Sequence, residues 1–223
     1  MSQVQSGPTG KGEANLRPNL LTGQQFPPLP QQKRSRQKRD ALLQAALSLF
    51  ADRGYEATTI EEIAHQAGVA VGGFYQHFAS KQQLLLVLMD RLLDVTEDLY
   101  QQCAPDNTQE IRSAIEQVVR RGLLIDWAYV GAYRAWREAT ALNRELRTLH
   151  EQLEQWTAQQ IEQLLHTLLQ TPGARKDVDV TALAWIVSLL FWRLAEVPLQ
   201  EPDTVVTTIT YMLYRTCFSD GAT

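Results

Sequence analysis

The chain has 223 residues, an ordinary hydrophobic fraction of 44% and a formal charge of −4. That length allows one or two domains with a sizeable core, and the negative balance excludes a protein that coats nucleic acid indiscriminately. The charge is uneven: residues 33–91 carry eight Lys/Arg against six Asp/Glu, and residues 92–223 carry eleven against eighteen. A DNA-facing N-terminal part and an acidic remainder are expected.

Residues 1–32 are rich in Gln, Pro, Gly and Asn and show no apolar period, so they are expected to be a disordered extension. They lack the apolar core of a secretory signal. The basic run Lys33-Arg34-Ser35-Arg36-Gln37-Lys38-Arg39 follows. Directly before a helix it reads as an arm for phosphates or the minor groove, with Lys38 and Arg39 nearest the folded part. A first helix is predicted over 36–53, with Leu43, Ala46, Leu47 and Phe50 on one face. Gly54 ends it, and Tyr55 packs beyond it.

The stretch TTIEEIAHQAGVAVGGFYQHFASK, residues 58–81, organises the rest. Ile60, Ile63, Ala64 and Ala67 form one apolar helical face. Thr59 caps that helix, and Glu62 three residues on completes a capping box. Gly68 stops it through a positive φ. A second short helix is predicted over 70–78, anchored by Phe74 and Phe78. Two short helices joined by a glycine turn make a helix-turn-helix, whose second helix enters the major groove. The residues Thr58-Thr59-Ile60, Ile63-Ala64, Ala67-Gly68-Val69, Gly72, Tyr75, His77-Phe78 and Ser80-Lys81-Gln82-Gln83-Leu84 closely resemble the DNA-binding signature of the tetracycline-repressor (TetR) family of bacterial transcription regulators. The resemblance spans about residues 36–93; beyond it only length and helicity are alike.

Roles follow from chemistry. Tyr75 and His77 offer donors to phosphate, and Lys81 offers a cation in a first helical turn, where the dipole does not favour one. Gly72 and Gly73 each cost up to ~1 kcal/mol against Ala in a helix, and close approach of backbone to DNA explains both. Ala70 and Val71 depart from the family pattern, in which a hydroxyl residue and then a polar or basic one are usual. Gln76 is left as the one side chain able to bond a base edge, with Val71 able to meet a thymine methyl. Specificity is therefore expected to lean on shape as well. Thr59 at the helix start completes the expected DNA face.

A fourth helix is predicted over 80–102, striped by Leu84, Leu85, Leu88, Leu92, Val95 and Leu99. Ala104-Pro105 breaks it. Helices are predicted over 108–123, 126–140 and 143–170, the last stopped by Thr171-Pro172-Gly173. Tyr129, Tyr133 and Trp136 are spaced by four and three and share a face, with Trp127 opposite. The last helices, over 179–196 and 203–218, are richly apolar. The first is apolar all round and so needs burial all round; a second subunit is the simplest cover, through Trp185, Leu190, Trp192, Ile209 and Leu213. Cys103 and Cys217 fit no metal or redox pattern and read as reduced thiols of a bacterial cytoplasm. No apolar run is long enough to span a bilayer.

The expected architecture is all-α: a disordered 1–32, a three-helix DNA-binding domain with its arm over 33–82, a larger helical ligand-binding and dimerisation domain over 83–218, and a tail over 219–223. The family resemblance implies a homodimeric repressor released from operator DNA by a small-molecule inducer. The aromatic residues suggest an apolar or aromatic inducer, bound among Trp127, Tyr129, Tyr133, Trp136 and Trp156. The alternative is an architectural or adaptor protein on the same fold without an inducer, and a solidly packed C-terminal domain would favour it. No nucleophile–base set, phosphate loop or metal-ligand cluster suggests an enzyme or cofactor. His150/Glu154 and Glu162/His166 lie at helical spacing and read as surface pairs.

Overall fold

The computed structural model describes residues 17–28, 31–102, 111–196 and 201–218. They form nine helices: α1 Lys33–Arg53, α2 Ile60–Gln66, α3 Val71–Tyr75, α4 Lys81–Gln102, α5 Ile111–Ala128, α6 Val130–Leu142, α7 Arg144–Leu168, α8 Val180–Leu194 and α9 Pro202–Cys217. The fold is all-α. No described helix is long and apolar enough to cross a membrane. Cys103 and the tail expected over 219–223 lie outside the described residues.

Two hydrophobic cores hold the molecule together. The first gathers Leu42, Leu43, Ala46 and Phe50 of α1, Ile63 of α2, Phe74 of α3, the apolar face of α4, Ala132, Tyr133, Ala135, Trp136 and Ala139 of α6, and Leu146, Leu153 and Trp156 of α7. The second joins α5, the later part of α7, α8 and α9 through Leu123, Ile161, Leu165, Val187, Val206 and Ile209. Helix α7 belongs to both, so it ties them together. The boundary expected at residue 82 falls at the start of α4, whose buried leucines pack in the same core as α1–α3.

Three expectations meet corrections. Residues 17–28, expected to be disordered, lie as a strap along α4. Leu20 is 1% exposed in the first core, with Leu21 and Phe26 packed beside it. Arg17 bonds Asp94, pairs with Asp90 at 2.6 Å and reaches Glu97 at 3.4 Å, while Gln83 Nε2 donates to the Gln25 carbonyl at 3.0 Å. Low average hydrophobicity concealed three well-placed apolar anchors. Second, the basic run is no free arm: α1 starts at Lys33, so the run forms its first two turns. Third, α5 continues to Ala128, and Tyr129 stands at the junction with φ −111° and ψ 17°. Trp127 therefore belongs to α5, and Tyr129 does not share a helix face with Tyr133 and Trp136.

Candidate DNA interface and ligand cavity

Helix α2 starts where the capping box predicts. Thr59 Oγ1 accepts from Glu62 N at 3.2 Å, and Glu62 Oε2 accepts from Thr59 N at 2.9 Å. It stops at Gly68, whose φ is +66°. Five-residue α3 then presents Val71, Gly72, Tyr75 and Gln76 outward while Phe74 is fully buried beneath. The two glycines differ. A Cβ on Gly73 would lie 2.6 Å from Val69 Cγ1, so Gly73 serves the turn's own packing. A Cβ on Gly72 would meet nothing within 4 Å. Neither internal packing nor positive φ requires a glycine at 72. Lys38 and Thr59 are exposed, and Tyr75 is 50% exposed with its ring edge-on to Phe74.

Three residues assigned to DNA sit otherwise. Lys81 turns inward: Nζ donates to the carbonyls of Tyr55 at 2.5 Å and Thr58 at 2.7 Å, over the Tyr55 ring. The turn between α1 and α2 leaves those carbonyls without helical partners, and an ammonium supplies them. His77 is buried, its Nδ1 without a partner. Burial, and then Arg39 and Lys38 nearby, lower its basicity, so it is a neutral core ring. Arg39 is half-buried, its guanidinium 4.9 Å from the centre of the Phe78 ring; burial foremost lowers its pKa.

The α1–α2 turn is gripped from a second side by α6. Glu138 Oε2 accepts from Tyr55 N at 2.7 Å and Glu56 N at 3.1 Å. Arg134 donates to the Ala51 carbonyl. A Cβ on Gly131 would strike the Leu47 carbonyl oxygen and Ala51 N, so α6 lies directly on the α1 backbone. One face of α6 thus holds the helix-turn-helix base.

The opposite side of α6 reaches a cavity of about 330 Å³, walled by α4, α5, α6, α7, α8 and α9. Its surface is largely apolar, with Leu92, Leu99, Val119, Ile161 and Phe191 among its walls. At one point Asp126 and Tyr133 face it together, Tyr133 O–H donating to Asp126 Oδ1 at 2.7 Å. Burial pushes the Asp126 carboxyl up to about 7, against the lowering effect of that hydrogen bond. Burial, then Asp126, pushes the Tyr133 hydroxyl well up too.

Of the five aromatic residues assigned to ligand, Tyr133 alone lines this cavity. Trp136 is buried in the first core with Nε1 donating to His150 Nδ1 at 3.3 Å; Trp156 packs there against Tyr100, with Tyr129 at the edge. Trp127 packs on the second core. The residues expected at a subunit interface are placed differently from one another. Trp192 and Leu213 line the cavity, Trp192 edge-on to Tyr133 at 5.3 Å. Ile209 is buried, and Leu190 packs on the second core. Buried Ile209 has no surface left for a second subunit, while Leu190, Trp192 and Leu213 stay partly exposed. Trp185 does face outward, beside Ile186 and Leu189 of α8, and α9 adds Tyr211 and Met212. His150 and His166 stand 3.5 and 3.9 Å from Glu154 and Glu162, and among the described residues no group of three or more metal-ligating side chains forms.

Comparison with known proteins bears on the N-terminal part most. Residues 42–88 match the family model described as bacterial regulatory proteins, tetR family. That segment is a tetR-family DNA-binding domain. The HTH-type transcriptional repressor KstR2 of Mycolicibacterium smegmatis is 46% identical over 76 residues, 34% of this chain and 36% of that protein. The HTH-type transcriptional activator FasR of the same organism is 41% identical over 83 residues, 36% and 38% of the two chains. The chain thus spans well under half the length of these relatives. Among solved structures, a gamma-butyrolactone receptor (ArpA-like protein) superposes with TM-score 0.65 at 22% identity, covering 84% of this chain and 91% of that one. AibR, in complex with isovaleryl coenzyme A and operator DNA, gives 0.61 at 22% identity over 80% and 99%. These likenesses extend the tetR-type fold across the C-terminal helices.

Sequence reasoning did not single out Asp126, Gly131 and Glu138. A helical glycine at 131 was a visible signal, since its cost needs a reason; single carboxylates at 126 and 138 gave none.

Proposed function

We propose that this protein is a ligand-controlled transcriptional repressor that binds operator DNA as a homodimer. Residues 33–82 are its DNA-binding unit, and 83–218 carry sensing and dimerisation. It works in the bacterial cytoplasm. The observation that carries this function is the arrangement of α6, which meets the cavity through Tyr133 and holds the helix-turn-helix base through Gly131, Arg134 and Glu138. AibR, captured with both an acyl-coenzyme A and operator DNA, supports the pairing of a sensing cavity with a DNA surface on this fold. The cavity also favours a small-molecule sensor over an architectural or adaptor protein.

Exposed Val71, Gly72, Tyr75 and Gln76 are the reading surface, flanked by the cationic first turns of α1. In a dimer, two such surfaces must sit about 34 Å apart to enter successive major grooves. A ligand that fits the cavity better when the surfaces are mis-spaced releases DNA; one that binds both states equally does nothing. The test is selection of binding sites from a random duplex pool by the full chain, then anisotropy on the enriched sequence. Enrichment of a two-fold symmetric site, with affinity falling steeply in salt, is expected. No enriched sequence, or one without symmetry, overturns the proposal.

A further inference from the structure

Given the ligand control proposed above, we infer that the cavity selects an apolar molecule bearing one protonated amine, with the ammonium set against Asp126 and among the surrounding aromatic rings. Asp126 is a costly residue where it stands. It is 7% exposed, and its partner Tyr133 is buried too, so neither leans on bulk water. It lies in the last turn of α5, which ends at Ala128, where the helix dipole opposes a negative charge. Tyr133 is its one side-chain hydrogen-bond partner among the described residues, and no Lys, Arg or His pairs with it. An ionised carboxylate in such a place is strongly disfavoured without a cation, and a leucine would serve packing better.

The surroundings supply what a cation needs and an anion does not. Tyr100, Tyr133, Phe191 and Trp192 all line the cavity, and aromatic faces attract ammonium groups. The cavity's one basic side chain, Arg121, donates to Gln102 Oε1 at 2.9 Å on the exposed side. It contributes nothing to the Asp126 carboxyl, so it does not neutralise the site. Thr96, Gln117 and Thr157 add neutral polar groups. The remaining wall is aliphatic, which suits a hydrocarbon body.

The test is calorimetry at pH 8 on the full chain with three probes of one shape: 4-phenylbutylamine, 4-phenylbutanol and 4-phenylbutanoate. The amine should bind at least tenfold more tightly than either isostere. Asp126→Asn should bring the amine to the level of the alcohol and leave the alcohol unchanged. Tyr133→Phe, which keeps the carboxylate and the ring, should retain the preference for amine. Equal binding of amine and alcohol by the wild type overturns the inference, as does a preference intact in Asp126→Asn. Should an Asn variant not fold, the wild-type ranking alone decides. Binding of the alcohol or carboxylate without the amine defeats the charge selection and leaves ligand control standing. Failure of all three probes to bind overturns this inference and leaves ligand control standing.

Discussion

Asp126 keeps its proton in the folded protein up to about pH 7, while an unfolded chain releases the same proton near ~4. Between those values the folded state holds the extra proton. The group's contribution is therefore full below about pH 4 and is lost as pH rises through about 7. Asn has no charge to bury and can still accept from Tyr133. In thermal melts of the ligand-free protein, Asp126→Asn should exceed the wild type at pH 8, by at most about 4 kcal/mol, and the gap should close by about pH 4–5. Equal gaps at both ends would mean that the carboxyl is already ionised or solvated. Lys81 calls for a different measurement. Its ammonium serves two turn carbonyls, and the Tyr55 carbonyl also accepts from Thr58 N, so Lys81→Ala should cost about 1–3 kcal/mol of stability, chiefly through the orphaned Thr58 carbonyl. The slope of DNA affinity against salt should stay unchanged. A slope smaller by about one would restore a phosphate contact.

At the scale of elements, what was legible depended on whether the information was local. The helix-turn-helix was readable because capping, glycine stops and apolar spacing all act within a few residues, as the Thr59–Glu62 box shows. Helix α8 was recognisable as a helix, but being apolar all round it had no phase. Nothing in the sequence told outward Trp185 from cavity-lining Trp192; packing against α7 and the cavity decides it. The α5–α6 junction at Tyr129 carries neither Gly nor Pro at its turn, so the chain gave no punctuation there. The strap was missed for a further reason: its support is non-local, with Arg17 reaching carboxylates more than seventy residues away. That strap yields a test. Leu20 fills a pit in the first core, so Leu20→Ala should destabilise by about 2–5 kcal/mol. Deleting residues 1–28 should lower stability at least as much, since the Arg17 pairs go too. Unchanged urea midpoints for both would return the segment to the status of an unattached extension.

For the whole molecule, the outstanding question is what covers α8 and α9. Ile186 at 62% exposure, with Leu189 and Trp185 on α8 and Tyr211 and Met212 on α9, leaves large apolar side chains facing water. A monomer in water has no use for them, and a two-fold axis through them would bring the same helices of a second copy against them, burying four helices together. Charge placed on that outer face should separate subunits without unfolding them; charge placed inside should do the reverse. Ile186→Asp combined with Leu189→Asp should sediment as a folded monomer with wild-type helicity, whereas Ile209→Asp, aimed at the buried side, should unfold or aggregate. The monomer should also lose most of its operator affinity, because two half-sites held on one body bind with a local concentration that a single half cannot supply. A folded dimer retaining full operator affinity in the double variant would place the subunit interface elsewhere. The spacing of the two recognition helices would then have to be set by another surface.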